Sequence, residues 1–204
     1  MADAGDEGLL VAWRAGDRDA GEALFTRHFA GIARFFRNKI SGDIEELIQR
    51  TFLGCLEGQH RFTGAGSFRG WLFGIARNVL FNHFREHLRD PTQDLGDLSV
   101  HDLSPTPGAV VVRHEEERLL LGALRRLPLQ HQIVLELAFW EDMTHAEIAE
   151  VLEIPVATAS TRIRRAKQLL AEQLAALTTS PELRASLSGG FETWARSLRT
   201  QLDP

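Results

Sequence analysis

One cysteine, two methionines and no tyrosine occur in 204 residues. A single thiol cannot close an internal disulfide, which excludes a disulfide-stapled scaffold and fits a reducing compartment. Cys55 stands between Leu53 and Leu56, a setting that predicts a small buried side chain rather than a reactive thiol. No apolar run approaches the ~20 residues that a membrane span needs. Residues 1–8 are acidic and small, without the basic-then-apolar pattern of a leader. The expectation is a cytoplasmic, soluble chain with no membrane insertion. Positive charge is also in deficit: 23 Lys and Arg face 28 Asp and Glu, a net charge of −5. That argues against a protein that coats nucleic acid indiscriminately.

The distribution of charge says more than its sum. Arg61, Arg69, Arg77, Arg85 and Arg89 outnumber Glu86 and Asp90 in one segment. Arg162, Arg164, Arg165 and Lys167 form a second cluster with no acid among them. Acids gather elsewhere, at 115–117 and at Glu141, Asp142, Glu147, Glu150 and Glu153. Two basic patches on an acidic chain suggest DNA contact assisted by a partner; the plainer alternative is two solvated faces.

Apolar residues make up 44% of the chain, enough to build cores. Helical periodicity dominates, and no run reads as a strand. Residues 9–13, 23–37, 45–56, 68–88, 115–127, 129–140, 145–152 and 156–177 read as helices. Between 89 and 113 the pattern fails, and Pro91, Pro105 and Pro107 stand among Asp, Ser, Thr and Gly. This predicts a flexible linker. The fold class is therefore all-α, with two helical domains over 1–90 and 114–177, a linker over 91–113, and a helical extension over 178–204. In that extension Ser180 and Pro181 suit a helix start and Gly189-Gly190 a stop. Phe191, Trp194, Ala195, Leu198 and Leu202 then recur at helical spacing, which reads as packing against the second domain, as a face for a partner or for self-inhibition, or as a disordered tail.

Thr144 followed by Glu147 makes a capping box. The helix it opens carries Ile148, Ala149 and Leu152 on one face, with Ala149 small enough for a second helix to approach. Pro155 disfavours helix at the residue before it, so 153–155 reads as a tight turn. The next helix bears the basic cluster. Two short helices joined by such a turn form a DNA-binding helix-turn-helix. At about 100° per residue, Ala159, Ile163, Ala166 and Leu170 fall on one side and face the core. Thr161, Arg164, Arg165 and Gln168 fall on the other, where a major groove would lie. Ser160 and Lys167 flank one edge and Arg162 the other. Thr158, Ser160, Thr161, Arg162, Arg164, Arg165 and Gln168 are thus the candidate DNA-binding residues of this helix. Arginine can pair bidentately with guanine, and edge residues suit phosphates.

The run Ser67-Phe68-Arg69-Gly70-Trp71-Leu72-Phe73-Gly74-Ile75-Ala76-Arg77-Asn78 closely resembles region 2 of the extracytoplasmic-function (ECF) sigma factors, a subfamily of the sigma-70 family. Glu46-Leu47-Ile48-Gln49-Arg50-Thr51-Phe52 does so upstream, and 127–170 resembles their region 4. The resemblance covers about 7–177 in the right order. It implies a promoter-recognition subunit of RNA polymerase, with core polymerase, promoter DNA and an anti-sigma factor as partners, and no cofactor or catalysis of its own. It implies that Glu46, Leu47, Gln49 and Phe52 dock on core polymerase. It also implies that 62–89 recognises and melts the −10 element, while the helix-turn-helix reads the −35 element. Arg61, Arg77, Asn78, Asn82 and Arg85 suit a groove for single-stranded bases, and the loop 64–66 suits close backbone approach. Phe68 and Trp71, spaced with Leu72 and Ile75, read as core. The family commonly has glycine where Glu153 and Ala157 stand, so the turn at Glu153 is either strained or differently shaped.

Two other readings compete. A stand-alone helix-turn-helix regulator would share the second domain. His83-Phe84-Arg85-Glu86-His87 matches the H-x-x-E-H pattern of some zinc peptidases, but no distant acidic ligand is marked and the pattern lies inside the region-2 resemblance.

Overall fold

A computed structural model describes residues 5–64, 66–88, 93–103 and 115–178. Those residues form helices and connecting turns, with one isolated antiparallel bridge between Ser99 and Pro128. The first half contains α1 (Asp6–Arg14), α2 (Arg18–Arg37), α3 (Glu45–Gly58) and α4 (Phe68–His87). The second contains α5 (Val100–Leu103), α6 (Glu115–Leu124), α7 (Leu129–Phe139), α8 (His145–Leu152) and α9 (Val156–Leu177).

Side-chain caps set where α2 and α4 begin. Asp17 accepts hydrogen bonds from the amides of Asp19 and Ala20, so α2 starts at Arg18, five residues ahead of the apolar pattern. Gly16, at φ +101°, makes the turn that brings α1 back along α2. The Ser67 hydroxyl accepts from the Gly70 amide and starts α4. Leu24, Ile32, Phe36, Leu72 and Leu80 are wholly buried where these helices meet. In the second half Leu120, Leu129, Ile133, Ile148 and Ala159 play the same part.

Two expectations change. The linker does not run free between the halves over 94–103. Leu95 and Val100 are buried, the Leu129 amide donates to the Leu98 carbonyl, the Gln130 amide to Gly96, and the His101 amide to Arg125. Isolated leucines and a valine in a polar stretch find apolar cover on the second half, and burial outweighs a composition that reads as linker. The extension over 179–204 lies outside the described residues, as do the 91–92 and 104–113 parts of the linker.

The second difference is that the halves meet. α4 packs against α8, and α2 reaches the turn after α7. Lys39, fully buried, pairs with Glu136 of α7 and donates to the Phe35 carbonyl. Burial holds the Lys39 ammonium below the ordinary lysine pKa, although Glu136 opposes the shift.

Candidate nucleic-acid interface

The helix-turn-helix assembles from local chemistry. The Thr144 hydroxyl accepts from the Glu147 amide at 3.2 Å, and the Glu147 carboxylate accepts from the Thr144 amide at 2.9 Å. Partial burial works against the Glu147 charge, but the Thr144 amide and hydroxyl and the Arg69 guanidinium outweigh it and hold its pKa below the usual value. Glu153 ends α8 in the left-handed region, at φ 56° and ψ 44°. There its amide and that of Ile154 bond back to Glu150 and Ala149. The turn keeps the geometry glycine favours, so it is strained rather than reshaped.

α9 divides as its angular pattern predicts. Ala159, Ile163, Ala166 and Leu170 are buried, while Thr158, Thr161, Arg164, Arg165 and Gln168 are exposed. Ser160 and Arg162 sit half-buried at the edges. The Ser160 hydroxyl lies 2.9 Å from Nδ1 of His145 and ties α9 to α8. The Lys167 ammonium stands over the Phe139 ring at 4.8 Å from its centroid. Arg164 is exposed, and Arg165 makes an exposed contact of 3.8 Å with Glu172.

On α4, Asn78, Asn82 and Arg85 are exposed along one stripe. Half-buried Arg77 lies beside it, its guanidinium 4.7 Å from the Phe81 ring centroid and 3.4 Å from Oδ1 of Asn78. Arg61, though exposed, sits in the turn after α3, toward the opposite end of α4. Phe68 is buried, and Trp71 stacks on Phe62 at 5.1 Å, so both belong to the core.

The α3 residues separate. Glu46 and Gln49 are exposed, but Leu47 is only 3% exposed and packs inward. Leu47 therefore presents nothing to a partner, a correction that follows from its position one helical turn before buried Thr51. Phe52 is half-buried against Phe25 and Phe29. Sequence reasoning passed over Leu53 and Leu56, which are 50% and 45% exposed. Both share a face with Glu46 and Gln49, and the spacing 46, 49, 53, 56 was the available signal.

Residues 24–89 match the sigma-70 region 2 family and residues 117–170 the sigma-70 region 4 family. RNA polymerase sigma factor HrpL of Pseudomonas syringae pv. syringae is 33% identical over 141 residues, covering 68% of this chain and 77% of its own. An ECF RNA polymerase sigma-E factor of Haemophilus influenzae is 26% identical over 179 residues, or 83% of this chain and 95% of that one. Among solved structures, CnrH in complex with the cytosolic domain of CnrY superposes with a TM-score of 0.62 at 25% identity, covering 84% of this chain and 97% of its own. RpoE of Bartonella quintana, solved with the anti-sigma factor NepR, shares the fold at a TM-score of 0.58 and 20% identity. The H-x-x-E-H stretch falls within the region-2 match. A sequence that matches both sigma-70 regions in order, on a fold shared with sigma factors, belongs to the ECF subfamily of the sigma-70 family, whose members direct RNA polymerase to promoters.

Proposed function

We propose that this sigma factor holds its promoter at two grips, α9 on the −35 element and α4 on the −10 element. The observation that carries the first is the division of α9 into a buried small-residue stripe and an exposed stripe of Thr161, Arg164, Arg165 and Gln168. An α-helix fits the major groove, and arginines on the outward face reach base edges there. Thr158, Ser160 and Arg162, nearer the rim, hold phosphates and fix register.

For the second grip, Asn78, Asn82 and Arg85 offer amide and guanidinium groups to unpaired bases, with Arg77 beside them and Arg61 nearer the start of α4. Strand opening is then binding energy applied to DNA, a few kcal/mol per unstacked base. No catalysis resides in this chain, and nucleotide addition belongs to core polymerase in the cytoplasm. Core polymerase docks on the α3 face of Glu46, Gln49, Leu53 and Leu56, with Phe52 at its edge; exposed leucines among polar groups suit a partner surface. An anti-sigma protein is a further expected partner, as the pairings of CnrH with CnrY and RpoE with NepR suggest.

Run-off transcription with core polymerase and a library of genomic fragments tests this reading. Discrete transcripts that require both proteins are expected. Tight, specific binding to promoter duplex by this protein alone, with no transcript on adding core, would instead favour a stand-alone regulator.

A further inference from the structure

The outward stripe of α9 changes character along its length. Ala157, Thr161, Arg164 and Gln168 share one side of the helix, and all four are exposed. The rear pair is long and polar. The front pair is short, and its one side-chain polar atom is already engaged. The Thr161 hydroxyl donates to the Ala157 carbonyl at 3.0 Å. With its oxygen turned back along the helix, the threonine leaves its γ-methyl as the free end of the side chain.

The surroundings of this pair add little polarity. Ser160, on the neighbouring edge, has its hydroxyl 2.9 Å from Nδ1 of His145. Val156, at the helix start, is 50% exposed, and Pro155 before it has no amide hydrogen to donate. Thr158 lies about 100° round from Ala157, toward the rim. A recognition helix meets base edges with its N-terminal residues. In α9 that end of the stripe presents methyl groups.

Residues four apart on a helix carry Cβ atoms ~5–6 Å apart. A third methyl fits the notch between two such groups at an ordinary apolar contact distance of about 4 Å from each. In the major groove the C5 methyl of thymine is the apolar group that base pairs display. Their other distinguishing groups there are donors and acceptors, which would lose water against the notch and gain no hydrogen bond.

We propose that the notch between Ala157 and Thr161 reads a thymine methyl in the −35 element, while Arg164 reads a separate base one turn further on. The inference rests on the DNA reading of α9 above and deepens it. It names the base for Thr161 and makes the methyl, not the hydroxyl, the reading group. Discrimination then has two sources: thymine buries its methyl, and the other bases leave a polar edge facing hydrocarbon.

Uracil lacks only the C5 methyl of thymine, so exchanging one for the other deletes this contact and leaves the rest of the base intact. Run-off transcription supplies promoter duplexes, and each thymine of the upstream element is then replaced singly by uracil on either strand. Binding by the full chain with core polymerase is read as the ratio of thymine to uracil affinity, in which losses of folding or of phosphate contact cancel. One position should show a ratio of about fourfold in wild type, as expected for one buried methyl. Thr161→Val keeps a methyl, deletes the hydroxyl and should preserve the ratio. Thr161→Ser keeps the hydroxyl, deletes the methyl and should bring the ratio below about twofold. Ala157→Gly should lower it as well. A ratio that survives intact in Thr161→Ser or Ala157→Gly, or that Thr161→Val abolishes, would overturn the assignment. So would an upstream element in which no thymine shows the penalty. Absence of any transcript with core polymerase would sink the sigma reading instead. The uracil scan then runs on duplex selected from random-sequence DNA by the full chain alone, and the same ratios decide; a chain that selects none overturns the notch as well.

Discussion

Glu153 offers a clean test of how strain is distributed in the helix-turn-helix. Its backbone sits at φ 56° and ψ 44°, where a Cβ crowds the carbonyl and costs roughly 1–2 kcal/mol. Glycine removes that cost but gives back about 0.5–1 kcal/mol through its freer unfolded chain. Glu153→Gly is therefore expected to stabilise the protein by about 0.5–1 kcal/mol. A complication is that the Glu153 carboxylate favours the charged form of Arg77. Glu153→Ala controls for it, because alanine deletes the charge and keeps the Cβ. The gap between the Gly and Ala variants then reports the backbone alone. For a chain of this length it corresponds to a melting-temperature difference of about 2–4 °C per kcal/mol. Thermal unfolding followed by circular dichroism gives the value. Gly and Ala variants melting at the same temperature would refute the strain argument, whatever either does relative to wild type.

Thr144→Ala removes the hydroxyl half of the capping box at the start of α8, leaving the backbone amide to donate to Glu147, and should cost about 1 kcal/mol, read as a lower denaturant midpoint with unchanged slope. Arg164→Ala and Arg165→Ala should each lose about 1–3 kcal/mol of discrimination between cognate and altered −35 sequences in the holoenzyme. Arg162→Ala should instead weaken binding to all sequences alike and lower its salt dependence; a base-selective loss at Arg162 would reverse the assignment. Burial pushes the Cys55 thiol up to about 12, so the native protein should resist a thiol reagent at pH 8 and react once denaturant is added.

The helix-turn-helix was legible because its determinants are local. A cap, a proline and an angular pattern lie within 27 residues, from 144 to 170, and each acts on its neighbours. The α3 face was legible in part. Gln49 and Glu46 fall outward by spacing, but Leu47 looks like Leu53 until a helix angle is assigned from the residues that pack. The junction between the halves was illegible for a different reason. Lys39 and Glu136 are far apart in sequence, and an isolated lysine or glutamate on a helix ordinarily reads as solvated. Only the fold brings their charges together and removes water from both. Leu95, Leu98 and Val100 were visible as apolar residues, yet nothing local distinguishes a leucine in a linker from one seated on a neighbouring domain.

The seating of 94–103 on the second half also fixes how far the halves can travel. With that segment in place, only about seven residues, from Leu88 to Leu95, join α4 to the second half, a leash of at most ~25 Å. If the segment lets go, the leash runs from Leu88 to Glu115, about 27 residues and ~90 Å when extended. Parting the junction and lengthening the leash are thus separate events. A protein that has done only the first can turn its two halves relative to each other but cannot draw them far apart.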